Sequence, residues 1–384
     1  MRISPAGDVE FLYVGDRPLL FSESRQRLFE LSSPAAYIWC RLAEGVDTND
    51  IVPELIERGI PSGAAEQQVE SAVDQWTQEG LIDFSPPAQS AQDTATMLIS
   101  LPNVSVDLVL PAGPEHDLLL QAFGHLRGTR TKPDIVIRSW GAGDRTALHG
   151  PGRPVSFHPR DEFIPAVKAL LTEIVLSRTG PDIALHSACL VRGGRANLLL
   201  GQPGAGKTGL TVALTEAGFE YGSDDIVLVG ADGRVRGVPF APAAKPGIWP
   251  LLKSIRPDLP KTPIHRRLDA RRVRYLTPLR PCTSEAHGVS RLLFLRRSAH
   301  ANPRLIPVDA VTVLSELIRN AYTASGRLLG PGARGLAQVV SGAHAFEFHY
   351  SELHNAVDFL RTLDDESASA SERSRSMPTR LAAS

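Results

Sequence analysis

Short apolar runs open the chain. Phe11-Leu12-Tyr13-Val14, Leu19-Leu20-Phe21 and Leu28-Phe29-Glu30-Leu31 are separated by Gly15-Asp16-Arg17-Pro18 and by the polar stretch 22–27, which predicts strands in a hairpin-like layout. At Ser33-Pro34 the period changes. A serine cap with proline in the first turn starts a helix, and Ala35, Ile38, Trp39 and Leu42 recur at helical spacing until Gly45. A second helix follows Thr48 with Ile51, Val52, Leu55 and Ile56 turned inward, ending at Gly59. The third runs from about Gly63 to Glu79, with Val69, Val73 and Trp76 on one face. Gly80 ends it, and Leu81-Ile82-Asp83-Phe84 reads as a closing strand.

Ser85-Pro86-Pro87-Ala88-Gln89-Ser90-Ala91-Gln92 has no apolar period and predicts a linker over 85–95, which separates a domain over 1–84 from the rest. Residues 96–180 carry strand signals at Thr96–Leu101, Val104–Leu110 and Asp134–Arg138. An amphipathic helix is expected around Leu118–Leu126, and a long helical pattern from Phe163 to about Leu176. Residues 181–363 follow a strand–loop–helix–strand order, the pattern of an α/β domain. After Leu363 the chain turns polar and Ser-rich, and 364–384 is expected to be a disordered tail.

Composition narrows the function classes. With 384 residues the chain is long enough for two or three domains. Lys+Arg (41) nearly cancels Asp+Glu (42), so no chain-wide basic field exists for nucleic acid or anionic lipid. No apolar run approaches the roughly 18–20 residues of a membrane span, and Met1-Arg2-Ile3-Ser4-Pro5 is not followed by a signal core. Cys40, Cys189 and Cys282 lie too far apart for a zinc or redox motif. These features predict a soluble, cytoplasmic protein without a membrane partner.

The strongest chemical signal is Gly201-Gln202-Pro203-Gly204-Ala205-Gly206-Lys207-Thr208, a complete G-x-x-x-x-G-K-[ST]. Glycines at these positions let backbone N–H groups turn inward around a phosphate. Lysine brings charge to the β/γ oxygens, and threonine offers a hydroxyl to Mg²⁺ at the start of a helix. A strand over Ala196–Leu200 precedes the loop, and a helix over Lys207–Ala217 follows. Beyond it comes Ser223-Asp224-Asp225, ahead of the apolar run Ile226–Val229. A solvated turn explains two acids at a strand start. Beside a phosphate loop, the pair also suits a Mg²⁺ carboxylate and a proton acceptor for an attacking hydroxyl. His186, on the strand just upstream, reads either as a core histidine or as part of this cluster.

Together, Leu185-His186-Ser187-Ala188, Gly201–Thr208 and Ser223-Asp224-Asp225 resemble the HPr kinase/phosphorylase family, clearly over 181–230 and more loosely over 96–363. The resemblance implies ATP and Mg²⁺ as cofactors. Lys207 and Thr208 become nucleotide and metal residues, Asp224 the base, Asp225 the metal partner, and His186 a neighbour of the transferred phosphate. It also implies a homo-oligomer, since related kinases form oligomers. The family's Glu-x-Arg-Gly signature has no counterpart nearer than Arg234–Pro239, and its later phosphorolysis signature is absent, which weighs against HPr as substrate. Ala244-Lys245-Pro246-Gly247, Arg272–Leu276 and Leu292–Arg297 look instead like the HPr-kinase-like enzymes of peptide-modification clusters. There Lys245 is a candidate for a substrate phosphate or carboxylate; the plain alternative is a surface lysine before a Pro-Gly turn.

The first domain has a winged-helix outline, for which DNA binding is the default. Between Pro61 and Gly80, however, it carries Glu66, Glu70, Asp74 and Glu79 and no Lys or Arg, so no nucleic-acid partner is expected. Leu31, Ala36, Ile38, Trp39, Leu42, Gly45, Ile51, Leu55, Val69, Val73, Gly80 and Leu81 form a pattern similar to PqqD-like peptide-recognition domains. That resemblance implies a leader peptide added as a strand to the edge near Leu28, Phe29 and Leu31, with the third helix as the other wall. A domain that only covers a kinase face or builds an oligomer is the alternative.

The fold expected is thus multidomain α/β: a winged-helix-like domain joined to a P-loop, HPr-kinase-like domain. The function expected is ATP- and Mg²⁺-dependent phosphorylation of a hydroxyl, serine by resemblance, on a ribosomally made precursor peptide. An HPr-type serine kinase in carbon regulation and a nucleotide-switched, noncatalytic peptide chaperone stay open beside it.

Overall fold

The computed structural model describes residues 2–85, 94–128, 132–151, 153–179, 183–282, 285–323 and 326–376, with backbone alone for 365–376. The fold is mixed α/β and multidomain, with several sheets and ten α-helices among the described residues. It divides into two compact units: Met1–Thr96 with Leu108–Gly113 and Ile135–Arg160, and Met97–Asp107 with Pro114–Asp134 and Asp161–Ser384. Most of the expected linker lies outside the described residues.

In the first unit, strands Val9–Val14, Arg17–Ser22 and Arg27–Glu30 form an antiparallel sheet in that order, with Leu20 opposite Phe29. Helix Ser33–Ala43 is capped by the Ser32 side chain, and helix Thr48–Glu57 by Asp47. Helix Ser62–Gln78 completes the trio. Their apolar faces meet in one core, where Trp39 and Trp76 cross edge to face at 5.1 Å. A strand absent from the sequence reading, Arg2–Pro5, pairs antiparallel with Ile82–Ser85. Ile135–Ala142, Arg145–His149 and Ser156–Pro159 form a meander in the same unit, and Trp140, Ala147 and Val155 join its core. The last two of these strands are short and carry no strict alternation, so the pattern alone did not announce them.

The second unit holds a six-stranded sheet in the order Glu220–Ser223, Ala188–Arg192, Arg195–Leu200, Gly288–Arg297, His344–Tyr350, Arg304–Pro307. Its three central strands run parallel. Residues of Arg195–Leu200 alternate between the two faces: Leu198 and Leu200 pack with helices Ala310–Arg319 and Gly330–Gly342, Leu199 with helices Lys207–Glu216 and Leu353–Ser376. A separate four-stranded sheet has the order Val235–Gly237, Ile226–Val229, Ile183–His186, Ala321–Tyr322. The tail expected to lack structure from 364 is helical as far as Ser376, and 377–384 lie outside the described residues. Its first turns are anchored by Ala356, Val357 and Leu360, and a nucleated helix propagates cheaply into a Glu-, Ala- and Arg-containing stretch. No helix is long and apolar enough to cross a membrane among the described residues.

Candidate active site

Strand Arg195–Leu200 delivers the chain into the glycine-rich loop, and helix Lys207–Glu216 leaves it. Gly204 and Gly206 hold φ of +90° and +97°, a left-handed backbone that only glycine adopts at low cost. A Cβ on Gly206 would also stand 2.6 Å from the Tyr350 hydroxyl, which donates to the Ala205 carbonyl at 3.3 Å. Lys207 Nζ donates to the Gly201 carbonyl at 2.6 Å, folding back across the loop it follows. Burial pushes its ammonium below the ordinary lysine range, and the nearby Lys245 charge adds to that, while Asp224 and Asp225 oppose it.

His186 and the acidic pair meet because the chain changes sheet twice. Ile183–His186 belongs to the four-stranded sheet and Ala188–Arg192 to the six-stranded one, with the switch at buried Ser187. Glu220–Ser223 belongs to the six-stranded sheet and Ile226–Val229 to the four-stranded one, with the switch at Asp224-Asp225. The two crossings are neighbours, since His186 pairs with Ile226 and Cys189 with Ser223. His186 is accordingly no core histidine. Its side chain is half exposed, and Nδ1 lies 3.1 Å from the Asp225 carbonyl and 3.6 Å from Asp225 Oδ1.

The two carboxylates face different surroundings. Asp224 is buried; its Oδ2 accepts from the Thr208 hydroxyl at 3.0 Å, and its Oδ1 is buried without a partner. Burial, then the Asp225 charge, pushes its carboxyl up to about 6. Asp225 is half exposed at its side chain and accepts from Lys168 Nζ at 3.2 Å, which holds it below the usual carboxylate range.

Lys168 was missed by sequence reasoning. It sits on helix Phe163–Ser177, with the rings of Tyr275 and Phe240 5.7 and 5.8 Å from Nζ. Burial works against its ammonium, but Asp225, Tyr275 and Asp224 outweigh it and leave the group above the ordinary lysine range. The available signal was a single lysine in the otherwise apolar run Phe163–Leu171.

Lys245 precedes the short turn Pro246–Ile248, close enough for its charge to act on Lys207. In the first unit, Leu28 is exposed on the outer strand of its sheet, but Leu31 is a correction to the expected peptide edge. The strand stops at Glu30, the Leu31 side chain is in the core, and its N–H is spent on the Pro18 carbonyl. A groove of about 340 Å³ lies between helices Ser33–Ala43 and Ser62–Gln78, lined among others by Ile38, Gln68 and Gln75. The Oε1 of Gln68 is buried there without a partner.

No family model matches the chain, and no curated protein does. Several solved structures are similar, among them these two. TbiB1 in complex with the TbiA(beta) leader peptide is 16% identical, over 22% of this chain and 99% of that one, with a TM-score of 0.21. The Hpr(Ser) kinase/phosphatase from Coxiella burnetii is 14% identical, over 50% of this chain and 99% of that one, also with a TM-score of 0.21.

Proposed function

We propose that this chain is an ATP- and Mg²⁺-dependent kinase that phosphorylates a hydroxyl, serine by resemblance, on a ribosomally made precursor peptide. Residues 1–84 hold that peptide's leader, at the edge bearing Leu28 and Phe29. The reading is carried by the hydrogen bond from Thr208 to Asp224, which places a carboxylate pair against the glycine-rich loop.

The residues present fit a nucleotide with its metal. The orphaned buried Oδ1 of Asp224, beside the Thr208 hydroxyl, is a donor set suited to a hard cation. Thr208 and Asp224 would therefore hold Mg²⁺, whose charge neutralises the phosphates when nucleotide is bound. This assigns the two acids in the opposite sense from the family resemblance, with Asp225 as the base. Asp225 is the exposed member of the pair, and Lys168 keeps it ionised. Loop N–H groups and Lys207 bind the phosphates, and Asp225 accepts the proton of the attacking hydroxyl. Leader capture raises the local concentration of that hydroxyl without any new contact at the reacting atoms.

Incubation with Mg²⁺-ATP and candidate precursor peptides encoded by the neighbouring genes, followed by mass spectrometry, tests the reading. The expected result is a gain of one phosphate, lost with Lys207→Ala and reduced with Leu28→Asp. A peptide that binds tightly but stays unmodified would make the chain a nucleotide-switched chaperone. A peptide that neither binds nor changes would return the first domain to a structural role.

A further inference from the structure

Two cavities open on the candidate site, and they are lined by different parts of it. One, of about 240 Å³, is lined by Gly201, Gln202 and Pro203 of the glycine-rich loop, together with His186 and Thr312. The other, of about 480 Å³, is lined by Asp225 and Lys168 and by no residue of that loop. Its walls are helix Phe163–Ser177, which presents Ala169, and the tip of the hairpin His265–Tyr275, which presents Arg267 and Leu268. A kinase needs separate spaces for donor and acceptor that meet at the transferred phosphate. The larger cavity reaches the acidic pair from the side of Asp225, away from the loop residues that would hold the donor.

Its surface also specifies what it takes. The cations on the wall are matched in place: Lys168 with Asp225 at 3.2 Å, and Arg267 with Asp269 at 3.4 Å. Beyond these pairs the wall carries the polar Thr172, Glu173 and Tyr275 and an apolar side, above all Leu268, whose side chain is exposed at a hairpin tip closed by the Arg267 N–H to Arg271 carbonyl bond of 2.8 Å. An exposed leucine beside a polar site gains from an apolar partner, and no described residue covers it.

Resting on the kinase reading above, we propose that this cavity admits the phosphoryl acceptor: a peptide segment whose hydroxyl side chain reaches Asp225 and whose apolar neighbour packs on Ala169 and Leu268. In the transfer, the hydroxyl oxygen bonds to the γ-phosphorus as the bond from that phosphorus to the bridging oxygen breaks. The hydroxyl proton passes to Asp225, and ADP leaves. Lys168 occupies Oδ2 of Asp225 and so leaves Oδ1 to take the proton, which makes Lys168 a positioning residue.

The test places the photo-crosslinker p-benzoylphenylalanine at Leu268 or, separately, at Thr312 in the full chain, with the precursor peptide as probe. Crosslinking from position 268 and not from 312 is expected. Ala169→Phe should raise KM for the peptide by about tenfold or more while ATP affinity, read by displacement of a fluorescent nucleotide, stays that of the wild type. Crosslinking from 312 alone, crosslinking from neither position, or a wild-type KM for Ala169→Phe would overturn the assignment. Crosslinking from 268 without phosphate transfer would overturn the kinase reading and leave the cavity as the peptide's seat. Lys168→Arg should keep more of kcat than Lys168→Met; equal losses would remove Lys168 from its positioning role.

Discussion

The glycine-rich loop and the acidic turn meet at the hydrogen bond from Thr208 to Asp224, yet they are built in opposite ways. The loop is local. Its left-handed glycines and the Lys207 to Gly201 contact, six residues apart, belong to the run 201–208 itself, and Tyr350 adds a bond to the Ala205 carbonyl from outside it. The turn is assembled from afar: Thr208, His186 and Lys168 reach it across 16, 39 and 57 residues. Asp224 and Asp225 are adjacent in the chain and still diverge, one desolvated and raised, the other paired and lowered. Adjacency in sequence sets neither group's chemistry; the elements packed against each carboxylate do.

The contrast can be broken at either end. Asp225→Asn is expected to reduce phosphate transfer by about 10²–10⁴-fold, the usual range for losing a positioned base, while Mg²⁺-ATP still binds. Single-turnover assays beside nucleotide titration would separate the two. Lys207→Ala should cost transfer about 10²–10³-fold and weaken nucleotide binding as well, because the loop loses its charge on the phosphates. A variant with full transfer would remove the loop from catalysis.

Away from the site, Trp76→Ala should destabilise the first unit by about 3–5 kcal/mol, read by chemical unfolding, since it opens a cavity against Trp39. A smaller effect separates the acids. Asp224 is raised to about 6 when folded from 3.8, so the wild type loses stability as pH rises through that interval. Asp224→Asn does not titrate. It should therefore be more stable than wild type without nucleotide by on the order of 1–3 kcal/mol at pH 8, with the gain vanishing below about pH 4. Melting curves at both pH values decide this, and a variant less stable at pH 8 would mean that Asp224 is not held at a cost. Leu28→Asp is the mildest change, expected to weaken leader binding by about 1 kcal/mol without altering transfer to a leaderless peptide.

Periodicity and caps determined the local elements. The three helices of residues 33–78, the strand entering the glycine-rich loop and the helix leaving it stand where apolar spacing and the glycines put them, although the first two caps are Ser32 and Asp47, one residue ahead of Ser33 and Thr48. The loop residues, and the presence of an acidic pair beyond them, were legible for the same reason, since their geometry is encoded within a few neighbouring positions. Other features were decided only by packing. Ile135–Arg160 joined the first unit because Trp140, Ala147 and Val155 found its core, a long-range choice with no local mark. His186 was turned outward, and Asp224 and Asp225 were given unlike surroundings, by two strand crossings between sheets. Lys168 entered the site on a helix whose apolar run gave no hint of a partner 57 residues away. Local pattern sets backbone conformation; burial and the position of distant charges, which set reactivity, exist only once the chain has closed on itself.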